Sequence, residues 1–201
     1  GELVAACVAG VFSLEDGLRL IAARGRLMQA LPAAGAMYAV WASEQSVREV
    51  LAPYTDRVAI AGFNGPHQLT ISGERSALQA IARTLSERQI QTKELDVSHA
   101  FHSPLMEPML DDFAQVARTV RFAPPQVTLI SNLTGAAAGA ELGTPEYWVR
   151  HVRQAVRFEA GMDALRAGGY DALVEIGPKP VLLGMARPCL EADASAELPA
   201  L

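Results

Sequence analysis

The apolar positions of this chain change their period along its length. Gly1-Glu2-Leu3-Val4-Ala5-Ala6-Cys7-Val8-Ala9-Gly10 reads as an apolar helix that ends at Gly10. Ser13-Leu14-Glu15-Asp16 then has the form of a capping box, with Asp16 standing where Glu is usual. The helix it opens carries Leu14, Leu18, Ile21, Ala22 and Met28 on one face at helical spacing. Arg24 lies within that helix, ahead of Gly25, and a helical arginine reads first as solvated surface.

After the break at Pro32-Ala33-Ala34-Gly35 the period shortens. Residues 36–42 read as a strand, 43–52 as a helix closed by Pro53, and 57–63 as a second strand. Asn64-Gly65-Pro66-His67 is a turn and 68–72 a third strand. Residues 74–88 form a helix with Leu78, Ile81, Ala82 and Leu85 on one face, and 90–97 a last strand. This order, strand-helix-strand-strand-helix-strand, is the split βαβ pattern of ferredoxin-like folds. It is inserted between two helical regions.

Ser98-His99-Ala100-Phe101-His102-Ser103-Pro104-Leu105-Met106-Glu107 follows. Ser103 before Pro104 suits a helix start, and a histidine just ahead of it sits on a corner that can aim its ring into a cleft. Taken alone, His99 and His102 read as ordinary surface or half-buried histidines. A helix is expected over 104–120, a short strand over 127–131 and a surface loop over 134–143. Helices are expected over 145–153 and 157–167, then a buried strand over 172–176. Gly177-Pro178-Lys179-Pro180 leads into a last helix, and periodicity is lost past Arg187. The body should therefore be α/β with a largely parallel sheet.

Composition narrows the partners. Half of the 201 residues are apolar, enough for a sizeable core. The net charge is −5 and the 17 basic residues are scattered, which argues against nucleic acid. No apolar run approaches the ~20 residues of a membrane span. There is no signal-peptide pattern, and two cysteines, Cys7 and Cys189, make no disulfide framework, so a cytoplasmic setting is expected. The start is abrupt, inside an apolar helix and without Met, and the chain looks cut there.

Several blocks together resemble one family. They are Arg24-Gly25-Arg26-Leu27-Met28-Gln29, Phe63-Asn64-Gly65-Pro66, His99 to Met106, Ser131-Asn132-Leu133-Thr134-Gly135, Tyr147-Trp148-Val149-Arg150-His151 and Glu175-Ile176-Gly177-Pro178. In this order they resemble the acyltransferase domain of modular polyketide synthases, relatives of the malonyl-CoA:acyl-carrier-protein transacylases. The resemblance implies an α/β-hydrolase-like body, residues 1–35 and 98–190, around a ferredoxin-like subdomain, 36–97, with 191–201 a linker. It implies transfer of an acyl group from a coenzyme A thioester to a serine, then to the phosphopantetheine thiol of an acyl carrier protein. Serine needs a base for this because its hydroxyl is a poor nucleophile at neutral pH.

Residue by residue, the resemblance makes His102 the catalytic base and Arg24 the clamp for the substrate's free carboxylate, through two parallel charge-assisted hydrogen bonds. His99 and Phe101 match the His-Ala-Phe-His signature that goes with malonyl units. Phe101 would crowd the substrate's α-carbon where the methylmalonyl signature has serine, a preference of about 1–3 kcal/mol. His151 stands where a backbone carbonyl orients the base. Gly1-Glu2 match the end of the Gly-His-Ser-x-Gly-Glu elbow, which puts the nucleophile two positions before Gly1. The chain by itself is thus expected to be inactive.

No metal is expected, since His99, His102 and His151 lack Cys or acidic ligands in the usual spacing. No bound cofactor is implied. The partners implied are the substrate malonyl-CoA, a phosphopantetheinylated carrier protein and adjoining ketosynthase and linker regions. The alternatives are a free-standing transacylase of fatty acid synthesis and a non-catalytic docking piece for a carrier protein. Asn132 reads as a turn residue, Trp148 as core, and Lys179 equally as a coenzyme A phosphate contact or a solvated helix start.

Overall fold

Local capping signals place the helix starts. A computed structural model describes residues 1–170 and 172–191. Helix α1 is Glu2–Val8, and Ser13 accepts from the Asp16 amide at 3.1 Å to cap α2, Leu14–Gln29. Strand β1, Gly35–Val40, is followed by α3, Glu44–Leu51, which Ser43 caps. Strands β2, Val58–Gly65, and β3, Gln68–Glu74, form a hairpin. Helix α4, Arg75–Glu87, and strand β4, Thr92–Glu94, complete this middle unit. A 3₁₀ segment, Pro104–Met109, then runs into α5, Leu110–Ala117. Last come α6, Pro145–Arg153, β5, Val156–Arg157, α7, Phe158–Ala167, and α8, Val181–Glu191.

The sheet order is β4-β1-β3-β2-β5. The first four strands pair antiparallel, and for β2 and β3 the tight turn between them requires it. The expected largely parallel sheet does not form among the described residues, where the parallel pairing is that of β2 with β5, Gly62 with Val156 and Phe63 with Arg157. Two expected strands fall away with it. The 127–131 segment contributes an isolated bridge, Ile130 to Ala137. The 172–176 segment is not a strand, and Val174 and Ile176 are 84% and 98% exposed. An apolar run becomes a strand only beside another that takes up its hydrogen bonds, and none of the described residues offers it one.

Two buried cores divide the molecule. One gathers Leu3, Leu20, Phe113, Tyr147 and Trp148 from α1, α2, α5 and α6. The other lies between the sheet and α3 and α4 and includes Val47, Ile71, Leu78, Ile81 and Leu85. Leu78, Ile81 and Leu85 are fully buried, each contributing about 1.5–3 kcal/mol. That outweighs the ~1 kcal/mol α4 forgoes by lacking a side-chain cap.

Three expectations need correction. On α2 the buried side is Leu20, Ala23 and Met28, which packs toward α5, while Leu14, Leu18 and Ile21 are exposed beside Val4 and Val8 of α1. Periodicity finds an apolar stripe but cannot say whether anything covers it. The helix expected over 104–120 begins instead as a 3₁₀ segment, because Pro108 has no N–H to complete an α-helical turn. Strand β4 is shorter than 90–97, although the Leu95 amide still donates to the Met37 carbonyl of β1 at 2.9 Å. A Cβ on Gly35 would stand 2.4 Å from the Ala100 Cβ. The linker expected over 191–201 lies, beyond Glu191, outside the described residues.

That contact joins the start of β1 to the turn carrying both histidines. Gly35→Ala is expected to overpack it and cost about 1–3 kcal/mol. Thermal denaturation should show a lower midpoint than the parent, and an unchanged midpoint would mean the turn does not rest on β1.

Candidate active site

The 98–104 turn is pinned from several sides. Ser103 is buried, donates to the Ala100 carbonyl at 2.6 Å and accepts from the Leu105 amide at 3.2 Å. The buried His99 ring bonds through Nε2 to the Leu31 carbonyl at 2.9 Å, just beyond α2, which also bears Arg24. His99 therefore fastens the turn to the helix of Arg24. Phe101 is half-buried against the first core, its ring 6.2 Å from that of His99.

His102 takes a left-handed backbone conformation, φ +57. Histidine enters this region more readily than most residues, but the cost is still about 1–3 kcal/mol, the kind of strain that clusters at functional sites. Its Nδ1 lies 2.7 Å from the Gln154 carbonyl. A carbonyl only accepts, so Nδ1 carries the hydrogen and Nε2 keeps a free lone pair. Burial above all, with the charges of His151, Arg24 and Arg153, pushes its pKa down to about 4, against the opposing pull of the Gln154 bond. At neutral pH the ring is an uncharged acceptor.

The orienting carbonyl is thus that of Gln154, and the expectation for His151 is corrected. His151 lies within the last turn of α6, whereas Gln154 is the C-cap in extended conformation, φ −85 and ψ 158. Its carbonyl turns out of the helix and is free to accept. The His151 side chain points elsewhere, its Nε2 3.1 Å from Glu2 Oε2. The rings of His102 and His151 are 6.4 Å apart, edge to face.

Motif reading took Glu2 only as the closing residue of the elbow, and missed the contacts its side chain makes. Its carboxylate is 6% exposed and accepts from His151 Nε2, from the Asn132 amide at 3.0 Å and from the Tyr147 hydroxyl. Burial alone would raise its pKa, but these bonds and the His151 charge hold it below the usual carboxylate value. Because the carboxylate only accepts, the Tyr147 hydroxyl donates its hydrogen bond to Glu2, and Ser131 donates to the Tyr147 oxygen at 2.7 Å. Ser131 in turn accepts from the Leu133 and Thr134 amides, so the turn reading for Asn132 holds. The one acid in an otherwise apolar opening helix was the available signal.

Arg24 lines a cavity of about 250 Å³ with Glu2 and His151 at its polar end and Leu3, Leu18 and Ile21 along its wall. It is half-buried, and its Nε is buried with no partner among the described residues. Burial lowers its pKa and the Glu2 charge opposes this. The structure thus brings Arg24, His151 and Glu2 onto one cavity, with His102 beside His151. His99 and Phe101 sit in the wall of the turn. Trp148 is core, donating to the Leu142 carbonyl at 3.0 Å, and Lys179 is solvent-exposed ahead of α8.

A histidine proton titration followed by NMR should place the His102 midpoint near 4, well below the ordinary 6.5. The unfolded chain then binds the proton first, so this group removes stability as pH falls from about 6.5 to 4. A midpoint at or above 6.5 would contradict the burial of the ring.

Comparison with known proteins places this geometry. The family model for the acyl transferase domain matches residues 1–198. The chain is 48% identical over 197 residues to the spectinabilin polyketide synthase system protein NorB of Streptomyces orinoci. It is 51% identical over 178 residues to the mycoketide-CoA synthase of Mycobacterium tuberculosis. These alignments take in 98% and 89% of this chain but 9% and 4% of those proteins. Among solved structures, the acyltransferase domain from the second module of the salinomycin polyketide synthase matches at 52% identity and TM-score 0.92. That match covers 94% of this chain and 45% of that one. The malonyl-CoA:acyl carrier protein transacylase of Xanthomonas oryzae matches at 30% identity and TM-score 0.87, over 94% of this chain and 62% of that one. The chain belongs to the acyl transferase domain family, in the form found in polyketide synthases.

Proposed function

We propose that this chain supplies the base and the carboxylate clamp of an acyltransferase that loads malonyl extender units onto an acyl carrier protein. The observation that carries the reading is an uncharged His102, aimed by Gln154, near Arg24, whose buried Nε lacks a partner among the described residues. In the first half-reaction His102 Nε2 takes the proton of the elbow serine as its oxygen attacks the malonyl thioester carbon. The coenzyme A sulfur leaves with that proton, and a malonyl-serine ester remains. In the second half the phosphopantetheine thiol gives its proton to Nε2 and attacks the ester. The serine oxygen leaves and is reprotonated. Gly1-Glu2 correspond to the closing residues of that elbow, so the base acts on a serine just ahead of α1.

Arg24 holds the free carboxylate of the malonyl group and Phe101 crowds its α-carbon, which favours malonyl over methylmalonyl. His99 acts on selectivity through the turn it fastens. Residues 36–97 form a ferredoxin-like subdomain on a larger body, 1–35 and 98–190. Support comes from the strand order β4-β1-β3-β2 and from the two separate cores. The higher identity to the polyketide synthase domain than to the free-standing transacylase, 52% against 30%, favours a carrier protein within such a synthase. A docking piece without catalysis would need no clamp beside an oriented base.

Arg24→Ala in the full-length protein should lower the rate of malonyl transfer by at least about tenfold, the loss of charge-assisted hydrogen bonds, and change acetyl transfer far less. Radiolabelled acyl loading measures both. Equal losses for the two substrates would remove Arg24 from the clamp.

A further inference from the structure

Gln154 is held from both sides, and both restraints lead back to one carboxylate. On its N-terminal side, Tyr147 and His151 stand one helical turn apart on α6, so their bonds to Glu2 grip one face of the helix at two points and fix its rotation. On its C-terminal side, the Arg157 amide donates to the Asn132 carbonyl at 2.8 Å, and the Asn132 amide donates to Glu2 at 3.0 Å. Glu2 does not touch His102. It reaches the ring through α6 and the 131–134 turn, both of which it binds from the far end of the sequence.

We infer that Glu2 is a positioning residue for the acyl-transfer base, setting through α6 and Asn132 where the Gln154 carbonyl stands and hence where His102 Nε2 points. The inference rests on the reading of His102 as that base. A carboxylate suits the task because its two oxygens accept three donors converging from different elements. An amide cannot do the same, since its nitrogen presents hydrogens where one of those donors must arrive. Charge matters less at the cavity, where Arg24 feels Glu2 without bonding to it. The predicted defect is therefore in turnover and not in malonyl binding.

The test is Glu2→Gln in the full-length protein. The kcat of malonyl transfer should fall, by up to about a hundredfold, the loss expected when a reacting group is displaced by about 1 Å. The KM for malonyl-CoA should stay within about twofold, whereas general loosening of the site would raise it. Nitrogen-15 NMR of His102 should show the parent as the Nδ1–H tautomer and the variant as a mixture of tautomers, a readout that needs no activity. Tyr147→Phe, which removes one grip and leaves the His151 bond to Glu2, should produce a smaller shift of the same kind and serves if Glu2→Gln does not fold. Unchanged kcat and an unchanged His102 tautomer in both variants would overturn the proposal. A shifted tautomer in a protein whose parent loads no malonyl group would instead overturn the functional reading and leave the positioning intact.

Discussion

A carboxylate taken out of water keeps its charge only if donors surround it, and the Glu2 site is assembled to that requirement. Leaving such a charge buried with a partner removed costs about 3–5 kcal/mol, a large share of a domain's net stability. Each donor therefore ties its own element to the start of α1. His151 and Tyr147 bring α6, and Asn132 brings the turn that follows Ile130. The arrangement of α1, that turn and α6 is in this sense a coordination sphere around one anion. What it holds in place is the region where the His102 ring is oriented and Arg24 lies.

The second constraint comes from the sheet. The middle unit has its own core and meets the helical region where Gly35 admits Ala100 and where β5 adds to β2. The left-handed backbone of His102 is bracketed by these contacts, His99 on Leu31 before it and Ser103 on Ala100 after it. Strain of about 1–3 kcal/mol survives only where neighbours leave the chain no alternative. The consequence is an imidazole with one nitrogen committed to Gln154 and the other available, in surroundings that keep it uncharged at neutral pH.

Much of this was legible in the sequence, and what was not has physical reasons. Ser13 and Ser103 announced their helix starts because capping is local. The middle unit followed from its change of period. The body was harder to read. The stripe Leu14-Leu18-Ile21 and the run 172–176 are apolar, yet which apolar surface is covered depends on partners far away in sequence. His102 and Arg24 stood in recognisable blocks, whereas the carbonyl that orients His102 was assigned three residues early, to His151. Only the end of α6 decides which carbonyl escapes the helix, and no side-chain pattern marks it. Glu2 was recognised as the end of a motif, but its bonding role was not legible, its partners lying 130 or more residues away.

The measurement that bears most directly on the account is a competition. The full-length protein, and its His102→Ala variant, would be incubated with malonyl-CoA and methylmalonyl-CoA together, digested, and its peptides weighed by mass spectrometry. The account predicts a malonyl ester on the elbow serine of the parent, little methylmalonyl ester, and neither in the variant. A variant that acquires the malonyl ester as fast as the parent would show that His102 is not the base, and the reading of the site would fall with it.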